Sequence, residues 1–256
     1  MRRNPLAQAL LWLALAVILG VLYLPLLPPF LASFGIGGPG GGEGFTWRWY
    51  SGLADNPLLA GAIAGSLAAA LITAVAAPLL GLLAAMAVRE LKTPRLILLL
   101  MLLPLFIPGV SLGLATALFL RELDLAPTLW SIALVHILWA LPFATLIILT
   151  AMASFDPVYL EAAYLSGAGR FRAFREIELP LIRPGILGAA SFSMILSFNE
   201  TIRTSLVQGP LNTVQTYIWS TYLQVGLSPA LYALMSLLVL LTVLLLALSL
   251  AAGRGH

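Results

Sequence analysis

Residues 155–184 read FDPVYLEAAYLSGAGRFRAFREIELPLIRP, and the placement of this stretch decides how the rest of the chain must be arranged. It holds Asp156, Glu161, Arg170, Arg172, Arg175, Glu176, Glu178 and Arg183, eight of the 23 charged residues in the chain, and so cannot lie in hydrocarbon. Asp156 can accept the orphan N–H groups of a first helical turn, and Pro157 suits the first helical position because it has no donor to lose. Gly167 supplies a left-handed residue that ends a helix, and Gly169 loosens the chain before Phe171. The pattern predicts a short helix, a glycine break and a second short helix, forming a folded surface element.

Outside that stretch the chain is strongly apolar. Of 256 residues, 61% are hydrophobic and 9% charged, and the mean hydropathy is +1.03, which leaves too little polar surface for a water-soluble domain. The protein is therefore expected to be an integral membrane protein. With no cysteine, disulfides, thiol nucleophiles and cysteine metal sites are excluded. The net charge of +3 is not a nucleic-acid signal, because the arginines sit between apolar runs and form no basic face.

Six apolar runs are legible, at about 6–30, 58–88, 96–120, 128–154, 186–207 and 229–252. The first follows Arg2 and Arg3 and is read as an uncleaved span over a secretory signal, since it is long and closes on Pro25, Pro28 and Pro29. A glycine-rich loop follows, with Gly35, Gly37, Gly38, Gly40, Gly41, Gly42 and Gly44. Next come Phe45, Trp47, Arg48, Trp49 and Tyr50, which suit an amphipathic segment at the lipid headgroups. The second run would make about 46 Å of helix against roughly 30 Å of hydrocarbon, so it must tilt, bend or project. Within it Gly61 and Gly65 permit close helix packing, and Pro78 marks a bend. The third is interrupted by Pro104, Pro108 and Gly109, a break that either lines a pathway or is a structural kink. The fourth contains His136, which has no His, Cys or carboxylate at ligand spacing and reads as a hydrogen-bonded packing residue over a metal ligand; no metal site is expected. With an internal N-terminus, the cytoplasmic segments hold Arg2, Arg3, Arg89, Lys92, Arg95, Arg170, Arg172, Arg175, Arg183 and Arg254, and only Arg48, Arg121 and Arg203 lie elsewhere. The excess of positive charge places loop 155–184 and both termini in the cytoplasm.

The charged loop also carries a resemblance. Glu161-Ala162-Ala163, three residues, Gly167, nine residues, Ile177, one residue, then Leu179-Pro180 resembles the EAA loop of permease subunits of binding-protein-dependent ABC importers, with every fixed position at its spacing. The resemblance implies one all-α permease domain over 1–256 with six transmembrane helices. It also implies a cytoplasmic coupling helix in loop 155–184, between the fourth and fifth spans. In that family the loop docks into a groove of a separate ATPase. The residues implied to do so are Glu161, Ala162, Ala163, Gly167, Phe171, Phe174, Ile177, Leu179 and Pro180. Ala162 and Ala163 leave room for a partner's backbone, and Phe171 and Phe174 offer an aromatic anchor rimmed by Arg170, Arg172 and Arg175. The implied partners are two ATPase subunits, a second permease of different sequence, an extracytoplasmic solute-binding protein and membrane lipid, in the inner membrane of a prokaryote.

No G-x4-G-K-[ST] loop exists, so this chain is expected to bind no ATP or Mg²⁺ itself and to perform no catalysis; its partners would supply both. No H-E-x-x-H motif or pair of intramembrane aspartates argues for an intramembrane enzyme. The fifth run is the most polar, and Ser197, Glu200 and Thr204 share one face by helical spacing. Together with Asn199 and Pro108 they are the candidate translocation residues. The other reading pairs Glu200 with Arg203 as an interfacial anchor. Ser197-Phe198-Asn199-Glu200, Gln208-Gly209-Pro210 and Val225–Pro229 resemble the second permease of spermidine/putrescine-type importers, except that Asn199 stands where polyamine carriers often hold an acid. Importers of opine, amino acid or phosphonate type remain alternatives, as does a stand-alone secondary transporter.

Overall fold

A computed structural model describes residues 5–37 and 44–252. Arg2, Arg3, Gly38, Gly40, Gly41, Gly42 and Arg254 lie outside the described residues. Within them the regular structure is helical: α1 Pro5–Tyr23, α2 Leu27–Ser33, α3 Arg48–Ala54, α4 Pro57–Glu90, α5 Pro94–Phe106, α6 Gly109–Glu122 and α7 Leu129–Ala153. The chain continues through α8 Val158–Leu165, α9 Arg170–Ala173, α10 Leu179–Phe198, α11 Ile202–Val207, α12 Val214–Val225 and α13 Pro229–Ala252. Four uninterrupted helical stretches among the described residues are long and apolar enough to cross a membrane, Gln8–Ser33, Pro57–Glu90, Leu129–Ala153 and Arg170–Phe198; the pair α5–α6, bent by 101°, is either a broken fifth span or a re-entrant loop. In α13, the described side chains cover an apolar stretch of Pro229–Val243.

Two compact units share the chain, one from residues 1–57 and 220–256 and one from Leu58–Trp219. In the first, α13 packs on α2 and α3. Phe34 gathers the aromatics expected at a headgroup level, its ring centroid lying 5.1–5.3 Å from those of Phe30, Phe45, Trp47 and Tyr50. Ser33 and Tyr50 share a hydrogen bond of 2.7 Å across the cluster.

In the second unit α7 and α10 form the principal packed pair. Its core is built from small side chains, with Ala77, Ala85, Ala140, Ala144 and Ala189 fully buried beside Ile148 and Ile182. Small residues let helix backbones approach, and that approach is what associates helices in lipid, where burial of apolar surface drives nothing. Gly81 shows how tight the seam is: a Cβ there would sit 3.0 Å from the Thr145 backbone nitrogen. Gly65 admits the 208–213 connection in the same way, since its Cβ would fall 2.8 Å from the Asn212 carbonyl oxygen. Next to it Ser66 Oγ accepts the Val214 N–H at 2.8 Å and helps to cap α12.

Helix α4 runs unbroken through Pro78. Two features differ from the sequence expectation. The second helix of loop 155–184 is not short: α9, a π-helical turn at Phe174–Glu178 and α10 run on without interruption from Arg170 to Phe198. Pro180, inside this continuous stretch, directly follows the π turn, where the Leu179 N–H bonds the Phe174 carbonyl and the ladder is already shifted. The fifth apolar run is not one helix over 186–207, because α10 stops at Phe198 and α11 begins at Ile202. Asn199 ends α10 by turning its Nδ2 back onto the Ile195 carbonyl at 2.8 Å, a side-chain bond that competes with the helical ladder.

Candidate functional site

The charged loop is built from its caps outward. Asp156 Oδ1 accepts the Val158 N–H at 3.0 Å and starts α8. At the other end Gly167 has φ +82°, its N–H reaches the Tyr164 carbonyl at 3.0 Å, and the Ala168 N–H reaches the Ala163 carbonyl at 3.0 Å. That pair of bonds is the Schellman arrangement, which demands a left-handed residue where glycine stands.

What this scaffold presents is apolar. Leu165 is 90% exposed and Phe171 73%, and Val158, Tyr159 and Tyr164 are exposed with them. Glu161, Ala162, Gly167 and Pro180 are also exposed, whereas Ala163 is buried and Phe174, Ile177 and Leu179 are half-buried. The two phenylalanines therefore part company, Phe171 facing outward and Phe174 partly covered at the start of the π turn. Arg170, Arg172 and Arg175 rim the patch, with Arg172 Nε 3.9 Å from Glu176. A cleft of about 470 Å³ beside the loop is lined by Ser154, Asp156, Tyr159, Leu181 and Gly185 among others.

Sequence reasoning missed the contact that fastens this loop. Glu178, 2% exposed, forms an ion pair with Arg89 at the last turn of α4, and Arg89 also bonds Glu90 at 3.1 Å. Arg89 ends the second apolar run and Glu178 lies in loop 155–184; the charge count placed both segments on one side of the membrane, and that shared side was the available signal.

The candidate translocation residues divide. Pro108 and Asn199 are exposed, each at a chain break: α5 and α6 meet at 101° around Ile107 and Pro108. Ile107 is extended there, with ψ 124°, as the residue before a proline prefers. Ser197, Glu200 and Thr204 are buried and meet through His136, whose Nδ1 lies 2.7 Å from Ser197 Oγ and whose Nε2 lies 2.7 Å from Thr204 Oγ1. Glu200 Oε1 accepts the Arg203 N–H at 2.9 Å and so caps α11, while Oε2 takes the Arg203 guanidinium at 2.6 Å. The pairing read from the sequence is present, and both partners are buried within the protein. Gly109-Val110-Ser111-Leu112-Gly113 has the spacing of a hydrolase nucleophile elbow, yet Ser111 lies in the first turn of α6 and both glycines face Arg203. Among the described residues no group of three His, Cys, Asp or Glu could hold a metal ion.

Residues 77–254 match the family described as "Binding-protein-dependent transport system inner membrane component". The chain is 28% identical over 243 residues to the spermidine/putrescine transport system permease protein PotC of Escherichia coli K12, covering 94% of this chain and 92% of that one. It is 26% identical over 208 residues to the putrescine transport system permease protein PotI of the same organism, covering 77% and 73%. In fold it is similar to a chain of a bacterial ABC transporter that imports the acidic polysaccharide alginate, with TM-score 0.75, 12% identity and 98% of both chains covered. A second structure, of a bacterial alginate ABC transporter with its pentasaccharide-bound periplasmic protein, gives TM-score 0.67 at 20% identity, covering 99% and 94%. The match over residues 77–254, on a scaffold of long apolar helices, makes this chain an inner-membrane, multi-pass member of the binding-protein-dependent ABC importer permease family.

Proposed function

We propose that the protein is a non-catalytic permease subunit of an ATP-driven importer, and that loop 155–184 docks it to a separate cytoplasmic ATPase. One observation carries this reading. The only densely charged stretch of the chain displays Leu165, Phe171, Val158, Tyr159 and Tyr164 to the outside. Charge keeps these side chains out of lipid and α8 leaves them out of the core, so a protein partner is what remains to cover them. Glu161, Ala162, Ala163, Gly167, Phe171, Phe174, Ile177, Leu179 and Pro180 form or support that surface. The full assembly would hold two ATPase subunits that bind ATP and Mg²⁺, a second permease chain and an extracytoplasmic binding protein, with both termini of this chain cytoplasmic.

The solute in this reading is a polyamine or a related small organic molecule, supported by the likeness to PotC and PotI. Asn199 favours the second option, because an exposed neutral amide lacks the charge that would hold an ammonium group. The route would pass the two breaks, bordered by Pro108 and Asn199, with Ser197, Glu200 and Thr204 holding the second break in shape. The experiment is cross-linking in the assembled transporter. The chain has no native cysteine, so Leu165→Cys gives a single site, expected to link to the ATPase and not to label from outside the cell. Labelling from outside, or linking to the binding protein, would refute the docking. Uptake of labelled putrescine by the reconstituted complex, competed by spermidine, tests the solute.

A further inference from the structure

Two breaks interrupt the helices of the second unit, at Ile107–Pro108 between α5 and α6 and at Asn199–Thr201 between α10 and α11. One side chain touches both. The Arg203 guanidinium is bound to Glu200 inside the second break and lies 3.9 Å from the ring centroid of Trp139 on α7. It also lies against Gly109, the first residue after the first break, where a Cβ would sit 3.2 Å from Arg203 Cζ. A Cβ on Gly113, one turn on, would fall 3.1 Å from Arg203 Cα and 2.8 Å from Leu206 Cδ1. The two glycines open α6 to Arg203, which is 8% exposed and leaves its buried Nε without a partner.

His136 spans the second break from behind. Its bonds go to Ser197, before the break, and Thr204, after it, and Thr204 Oγ1 donates to the Glu200 carbonyl at 3.1 Å. Since a hydroxyl has one proton, Thr204 must accept from His136 Nε2–H, and Nδ1 then accepts from Ser197. A single tautomer satisfies the whole chain of bonds. Apolar residues of the same volume would fill this space at no loss of stability, because a buried ion pair barely repays its desolvation. What the polar set adds is a fixed geometry between segments that the backbone leaves unconnected.

We propose that Arg203, Glu200 and His136 form an interlock that makes the α5–α6 bend and the α10–α11 break move as one body when the importer changes state. The inference rests on the transport reading only in requiring two states. The test places a nitroxide on Ser111→Cys or Ile202→Cys, both exposed and outside the interlock, in the assembled transporter in vesicles, and follows each line shape as ATP is titrated under hydrolysis-arresting conditions. With the native interlock the two sites should respond at one midpoint. In Thr204→Val, which removes the shared hydroxyl at nearly constant volume, and in Gly109→Ala, which crowds Arg203, the midpoints should separate about fivefold or more, the lower range of a coupling between sites. Thr204→Ser should bring them back together, an effect a merely space-filling role would not produce. Midpoints that stay together in both variants, that already differ with the native interlock, or sites that do not respond in a transporting assembly would each overturn the interlock. An assembly that neither hydrolyses ATP nor transports would instead overturn the functional reading.

Discussion

Replacing either partner of the Arg89–Glu178 pair should destabilise the protein, but unequally, and the inequality follows from burial. Glu178 is 2% exposed, whereas the Arg89 side chain is 37% exposed and has Glu90 as a second partner at 3.1 Å. In Glu178→Gln, Arg89 keeps water and Glu90. The loss is one charge-assisted bond, reduced by that exposure to about 1–2 kcal/mol. In Arg89→Gln a carboxylate is left buried without its cation, which costs about 3–5 kcal/mol. The double variant has no uncompensated charge and should lie closer to Glu178→Gln than to Arg89→Gln. At about 2–4 °C per kcal/mol for a chain of this size, the single variants should melt roughly 2–8 °C and 6–20 °C lower. Thermal melts of the purified assembly measure the stability, and solute-stimulated ATPase measures coupling. Because the pair fastens the loop to α4, Glu178→Gln should lose stimulation while keeping basal hydrolysis. Equal losses in the two single variants, or a double variant as unstable as their sum, would refute the reasoning.

Other substitutions test separate parts of the structure. Gly167→Val meets no atom within 4 Å of its Cβ, so its penalty is the left-handed backbone, about 1–2 kcal/mol; membrane insertion should survive while stimulated ATPase falls. Leu165→Glu puts a charge at the centre of the exposed apolar patch and should weaken co-purification of the ATPase by more than tenfold, the loss of about 2 kcal/mol at an interface anchor. Gly185→Leu drives side-chain atoms into Ala151 and should cost about 1–3 kcal/mol, read as a lowered melting temperature. Gly61→Ala, with open space around it inside α4, should raise the melt slightly, by the roughly 0.5–1 kcal/mol that glycine costs in a helix interior. Ser66→Ala removes the acceptor of the buried Val214 N–H and should cost about 1–3 kcal/mol in the same assay.

The features legible in the sequence were those set by neighbours along the chain. The Asp156 cap and the Gly167 stop depend on residues within one or two turns, and the structure carries both. Proline was the weakest local signal. Pro78 sits inside α4 without ending it, and Pro180 and Pro184 lie in the helix that continues from the charged loop into the span, with a π turn just before Pro180.

Long-range pairing is where spacing along the chain stops being informative. Ser197, Glu200 and Thr204 were grouped as one face of a continuous helix, and they do meet, but for another reason: the helix breaks between them and His136, 61 and 68 positions away from its two partners, draws the pieces together. Helical period explains why they were noticed; the packing of α10 and α11 on α7, with α11 also against α6, explains why they are buried. Arg203 makes the same point from the other side. By spacing it is merely the partner of Glu200, yet its largest consequence lies at Gly109 and Gly113, on a different helix, where side chains are excluded to admit it. In a membrane chain so poor in charge, a buried arginine thus sets the residue types of a helix it is not part of, and a one-dimensional pattern records only the vacancy.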